Sequence, residues 1–152
     1  MKIRKLDWDV ENRELEVVAA LMPCLDNFWS KKIDHIQLAT IAKKFGTTAE
    51  FIIAEDGELG CLGCAAYYRN NQETKIAFLS IIVTRKGFES KGIGTSLLDA
   101  VERDCALNGF VSIQLEVATE NVAAIKFYKK RKYQLMGCGK QGYLSYSKSL
   151  QE

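Results

Sequence analysis

The chain has 152 residues, room for one domain and cramped for two. Hydrophobic residues make up 47% of it, enough to build a core, which excludes a disordered chain. Lys and Arg number 21 against 19 Asp and Glu, a net +2, so the whole-molecule field points to no polyanion and any charge argument is local.

In chain order, Lys2 to Leu6 reads as a short strand. Leu15, Val18, Ala19 and Met22 form an apolar stripe, predicting a helix from Glu11 to about Ala20 that Pro23 ends or kinks. A second helix carries Leu38, Ile41, Ala42 and Phe45, with Asp34 and Gln37 as a cap pair and Gly46 as the stop. Phe51 to Glu55, the turn Asp56-Gly57 and Leu59 to Arg69 predict a hairpin. After a turn at Asn70-Asn71, Lys75 to Thr84 is apolar on both faces, as a central strand should be. Ile93, Leu97, Val101 and Cys105 mark a helix ending near Gly109, followed by a strand from Phe110 to Val117; strand, helix, strand implies a parallel pair. A last helix spans about Asn121 to Arg131, and Tyr133 to Cys138 with Tyr143 to Leu150 reads as a closing hairpin. The single proline and the absence of repeats or low-complexity stretches leave no linker. The expected class is α/β with a mixed, largely antiparallel sheet.

The loop from Arg85 to Thr95 opens into a helix through Gly92-Ile93-Gly94. The first-turn N–H groups of a helix are unpaired and lie at the positive end of its dipole, so such a loop suits an anion such as a pyrophosphate. Two other phosphate loops fail here. Gly87 and Gly92 have Walker A spacing, but Ile93 stands where the lysine is required. Leu97 replaces the third glycine of a dinucleotide fingerprint, and the Gly137-x-Gly139-x-x-Gly142 string is followed by a strand pattern rather than a helix.

Val83 through Leu98, with Gly92-Ile93-Gly94 opening the helix, resembles the acyl-CoA loop of the GNAT N-acetyltransferase superfamily. A second motif of that family, Asn-x-x-Ala-(Ile/Leu)-x-(Phe/Leu)-Tyr, is matched by Asn121-Val122-Ala123-Ala124-Ile125-Lys126-Phe127-Tyr128, and the order of elements is similar over nearly the whole chain. The resemblance implies one acyl-CoA-dependent N-acyltransferase domain over residues 1–152. Its fold would be a mixed, mostly antiparallel sheet with a parallel strand pair at the cofactor site and about four flanking helices. It implies acetyl-CoA as co-substrate and a primary amine, of a small molecule or a protein, as acceptor. Backbone groups of Ile81, Ile82 and Val83 would hold the pantetheine arm. Glu89, Ser90, Lys91, Gly92, Ile93, Gly94 and Thr95 would wrap the pyrophosphate, and Asn121 would contact the arm. Tyr128 would protonate the departing thiolate, and Glu116, twelve residues before it, would be the base. No metal is implied, and a homodimer is an assembly common among such proteins.

Residue spacing supports the same site. Asn121 and Tyr128 are two helical turns apart, on one face with Ala124 and Ile125. Val111, Ile113, Leu115 and Val117 share the apolar side of their strand, so Glu116 lies on the other side with Ser112 and Gln114, at the carboxyl end where open α/β sheets bind ligands. The sequence departs from the family in three places. Glu89 stands where Arg or Gln is usual, the strand-to-glycine loop is about one residue longer, and Lys132 replaces the glycine common after the last helix. Glu89 is expected to point into solvent while Arg85, Lys86 or Lys91 supplies positive charge. The alternative reading is an acyl-CoA-binding or sensing module without catalysis.

Five cysteines, Cys24, Cys61, Cys64, Cys105 and Cys138, are an odd number in a chain large enough to fold without staples, and read as free thiols. Cys61-x-x-Cys64 lacks a second pair, the single His35 is distant, and strand residues three apart face opposite sides, so the pair is expected to be structural. The basic cluster from Lys126 to Lys132 suits a helix C-terminus. No apolar run reaches the ~20 residues of a membrane span and the first residues lack the apolar centre of a secretory signal, so a cytoplasmic protein with neither membrane nor nucleic-acid partner is expected. Acceptor specificity is expected from the first two helices and the closing hairpin, including Phe28, Trp29 and Tyr143 to Tyr146.

Overall fold

The structure, a computed structural model, describes residues 1–28 and 34–151, with His35 by its backbone alone. Seven strands, β1 (Lys2–Lys5), β2 (Glu50–Asp56), β3 (Gly60–Tyr68), β4 (Ile76–Thr84), β5 (Ser112–Ala118), β6 (Gln134–Cys138) and β7 (Tyr143–Ser149), form one sheet in the order β1-β2-β3-β4-β5-β7-β6. Among the described residues β4–β5 is the one parallel pair. Helices α1 (Arg13–Leu21) and α2 (His35–Thr48), with a 3₁₀ helix at Met22–Asn27, cover one face; α3 (Ile93–Leu107) and α4 (Val122–Lys130) cover the other. The mixed sheet with one parallel pair and four α-helices is the expected fold. Trp29 lies outside the described residues.

Each face has its own core. Val17, Leu21, Phe45, Phe51 and Cys64 lie under α1 and α2, while Tyr67, Leu97, Val101, Ile113 and Tyr146 lie under α3 and α4. Alternation along β2 sends Ile52 and Ala54 to one core and Phe51 and Ile53 to the other.

The predicted α1 stripe is corrected. Leu15 is 64% exposed, whereas Arg13 is only 6% exposed and is buried together with Val17, Ala20 and Leu21. The Arg13 guanidinium turns this face inward by donating to Phe45 O, Gly46 O and Ala49 O at 2.9 to 3.0 Å. These are carbonyls at the C-terminal end of α2, where helix donors run out; Phe45 O also accepts from the Ala49 amide. Counting apolar residues alone could not include an arginine. Pro23 lies in the first turn of the 3₁₀ helix rather than simply stopping the chain. The Asp34–Gln37 capping box forms as expected, but α2 runs past Gly46 to Thr48. Gly46 is there for close packing, since a Cβ would stand 2.8 Å from Glu14 Cγ and 3.0 Å from its Cα.

Two bulges shape the sheet centre. Ser80 has no partner in the β3–β4 register, which passes from Ala66↔Ile81 to Tyr67↔Leu79. Pairing of β4 with β5 covers Ile76 to Leu79 against Ser112 to Leu115 and stops there. A bulge bends its strand and increases local twist, so β4 and β5 diverge beyond it toward their carboxyl ends. The second bulge leaves Leu62 unpaired between β2 and β3.

Candidate active site

The divergence of β4 from β5 opens a cleft of about 460 Å³, lined by Ser80 to Val83, Leu115 to Ala118, Asn121, Ala124, Tyr128, Lys140 and Tyr143. Backbone N–H and C=O groups along β4 that β5 no longer pairs face this gap, and such groups require partners. A second cleft of about 440 Å³ adjoins it and shares Ile82, Ala124 and Tyr128. The second is walled by Phe88, Glu89, Ser90, Gly92 to Thr95, Ala123 and Phe127. Together they form a path from the N-terminus of α3, past Tyr128, to Glu116.

At the α3 end, Gly92 takes the left-handed conformation (φ 81°) as the N-cap and no side chain caps the helix. A Cβ at Gly92 would meet nothing within 4 Å, so the backbone there is open. The first-turn amides are therefore free for an anion. Of the expected loop residues, Glu89, Ser90, Gly92, Ile93, Gly94 and Thr95 line the cleft, and Lys91 does not. Arg85 is tied back by its Nη1 to Leu59 O at 2.6 Å. Arg131 instead reaches this end, donating to Thr95 Oγ1 at 2.5 Å.

Glu89 is exposed, as expected, but its carboxylate is also held in place. It accepts from Asn27 Nδ2 at 2.9 Å and from the Gly87 amide at 2.6 Å. The bond from Asn27 leads the contacts that lower its pKa. Asn27 also donates to Thr84 O at 2.8 Å, so it fastens the 3₁₀ helix to both β4 and the loop. Nothing in the sequence singles Asn27 out, because its partners lie 57 and 62 residues away.

On α4, Asn121 is the N-cap, its side chain accepting from Ala124 N at 3.2 Å. Asn121, Ala124 and Tyr128 line the first cleft as their spacing predicts, while Ile125 packs into the core instead. Tyr128 is buried between Phe127 and Tyr133, with ring centroids at 5.2 and 5.5 Å, both edge to face. Its hydroxyl bonds to no described residue, and among the described residues no buried side-chain oxygen or nitrogen lacks a partner, so the oxygen opens on the cleft. Burial pushes the phenol well above its usual pKa and keeps it protonated.

Glu116 faces the first cleft from β5, on the side opposite the buried Leu115 and Val117. One carboxylate oxygen, Oε2, accepts from the Lys140 amide at 2.9 Å. The β6–β7 turn comes this close because residue 139 is glycine: a Cβ there would stand 2.0 Å from Glu116 Oε2. The Gly137 to Gly142 string thus has a site role of a kind unrelated to dinucleotide binding.

The profile of the Acetyltransferase (GNAT) family matches residues 15–133 of this chain. The chain belongs to that family. Among curated proteins, the uncharacterized protein YdhI of Bacillus subtilis (strain 168) is 37% identical over 82 residues, 54% of this chain and 47% of YdhI. The chain thus matches about half the length of this relative. The crystal structure of a putative GNAT-family acetyltransferase from Desulfovibrio desulfuricans superposes with a TM-score of 0.79 at 16% identity, covering 99% of each chain. The PaiA N-acetyltransferase of Thermoplasma acidophilum, solved in complex with coenzyme A, gives 0.68 at 16% identity over 98% of this chain and 99% of that one. At such identities these two likenesses establish the GNAT fold. No described helix is long and apolar enough to cross a membrane.

Proposed function

We propose that the protein transfers the acetyl group of acetyl-CoA directly to a primary amine, with Glu116 as base and Tyr128 as acid. The observation that carries this reading is the pair of adjoining clefts that share Tyr128, one at the uncapped N-terminus of α3 and the other holding Glu116. The α3 amides and Arg131 suit a pyrophosphate, and the unpaired edge of β4 suits the amide groups of a pantetheine arm. A similar fold solved with coenzyme A supports the same ligand.

A primary amine of pKa ~10.4 is protonated at neutral pH and must lose a proton before attack. Glu116 Oε1, which has no hydrogen-bond partner among the described residues, takes that proton directly or through water while Oε2 is steadied by Lys140. The nitrogen–carbon bond forms, the tetrahedral oxyanion meets an amide of β4, and the carbon–sulfur bond breaks. The Tyr128 phenol, held neutral by burial, gives its proton to the departing thiolate. Lys44, Phe28 and Tyr143 border the first cleft where an acceptor would enter. Five unpaired thiols suit a reducing compartment, and we place the protein in the cytoplasm.

Release of CoA thiol is to be measured against a panel of amines, alongside the affinity for CoA. Tyr128→Phe should lower kcat by roughly 100-fold or more and change the CoA Kd by less than about threefold. Unchanged turnover in the variant would remove Tyr128 from the mechanism. CoA binding without thiol release for any amine would favour the sensing module instead.

A further inference from the structure

The bulge in β3 assembles a second cluster, whose residues line neither cleft. Cys61 and Cys64 flank Leu62 and Gly63, and Cys24 from the 3₁₀ helix meets them. In a regular strand residues three apart face opposite sides. Here Leu62 packs in the α3-side core, and a Cβ on Gly63 would also turn to α3, 3.0 Å from Ile93 Cγ2 and 3.2 Å from Leu97 Cδ1. Two successive residues on one face return Cys61 and Cys64 to the same opposite face, correcting the expected separation. The three sulfurs lie within 4.8 Å of one another. Cys24 and Cys64 are fully buried, and Cys61, 8% exposed, marks the way in.

We propose that Cys24, Cys61 and Cys64 form a three-sulfur site for a soft monovalent metal ion, Cu(I). A trigonal site with metal–sulfur bonds of ~2.3 Å holds its sulfurs roughly 4.0 Å apart, so the trio needs less than about an ångström of contraction. Zinc prefers four ligands, and no imidazole, carboxylate or fourth thiol joins the group among the described residues. Thiolates select soft ions, and Cu(I) accepts three of them without a fourth ligand. Hydrogen bonds among the three thiols favour the thiolate of Cys61, whereas the same bonds and burial oppose ionisation of Cys24 and Cys64. Metal entry would displace the remaining thiol protons to solvent. The bound ion would pin the 3₁₀ helix to β3 three residues from Asn27, beside Val83, the register partner of Cys64.

The test uses the full chain carrying Cys138→Ser, which removes the exposed thiol, reduced and titrated with Cu(I) against a chromophoric Cu(I) chelator. We expect one equivalent to be retained, with three sulfur neighbours by X-ray absorption. Affinity should fall at least tenfold in Cys61→Ala and stay unchanged in Cys105→Ser, whose thiol is buried elsewhere. Circular dichroism and melting verify that each variant is folded. If Cys61→Ala does not fold, the sulfur count at the metal in the parent decides: three upholds the site and fewer overturns it. Failure of the parent to retain Cu(I), equal retention by folded Cys61→Ala, or preference for Zn(II) over Cu(I) would each overturn the proposal.

Discussion

Glu89 shows how one side chain can be both a brace and an electrostatic burden. Its carboxylate joins Asn27 to the Gly87 amide and so shapes the loop, yet it places a negative charge where a pyrophosphate would lie. Glutamine keeps an acceptor oxygen and removes the charge. Glu89→Gln should therefore tighten CoA binding by about two- to fivefold at low ionic strength, with the gain shrinking as salt rises; titration calorimetry at two salt concentrations measures it. Tyr128 lies at the other extreme. Burial alone shifts its phenol, and no partner among the described residues holds the hydroxyl away from the cleft.

Turns and caps set the geometry of the site. Gly139 has an ordinary backbone conformation, so alanine would fit the local chain and fail only against Glu116. Gly139→Ala should cost activity to an extent comparable with Glu116→Gln, with a melting temperature close to the parent's; a fully active Gly139→Ala would show that the Lys140 bond does not position the base. The end of α4 has a Schellman pattern, with Tyr133 N bonded to Tyr128 O and Lys132 N to Lys129 O. This puts Lys132 at φ 77°, a conformation in which glycine is usual. Lys132→Gly should stabilise the fold by about 1 kcal/mol, read from denaturant unfolding at constant m. The corresponding end of α3 already has Gly109, at φ 82°.

Across the whole molecule, a charged network joins elements remote in sequence. Asp104 of α3 accepts from the Tyr67 hydroxyl at 2.6 Å and from Arg69 Nε at 2.8 Å, with Lys5 of β1 at 3.4 Å; Glu50 of β2 holds Lys5 at 2.9 Å. Burial would raise the Asp104 pKa, but these donors outweigh it and hold the carboxyl below its usual range. A depressed carboxylate pKa adds stability that is present at neutral pH and is lost as pH falls through the folded-state value. Asp104→Asn should thus cost roughly 2 to 3 kcal/mol at pH 7. The gap between variant and parent should begin to close near pH 4, where the unfolded carboxyl (pKa ~3.9) protonates, and vanish only once the folded carboxyl protonates at lower pH; urea unfolding across that range tests both sign and window.

The order of elements, the parallel pair, the Asp34–Gln37 cap, the glycine-opened α3 and the shared face of Asn121 and Tyr128 were all legible in the sequence. Each is local: a period, a cap spacing or a turn residue specifies it within one or two helical turns. The tertiary structure alone decided the rest. The buried Arg13 is explained only by carbonyls of α2, and the grip of Asn27 only by Thr84 and Glu89. The Ser80 bulge is visible only against β3, the need for glycine at 139 only against Glu116, and the meeting of Cys61 and Cys64 only once β2 leaves Leu62 unpaired. These features depend on which residue the folded chain brings opposite another. Periodicity measures a segment against itself, so it carries no information about a register set by a distant strand.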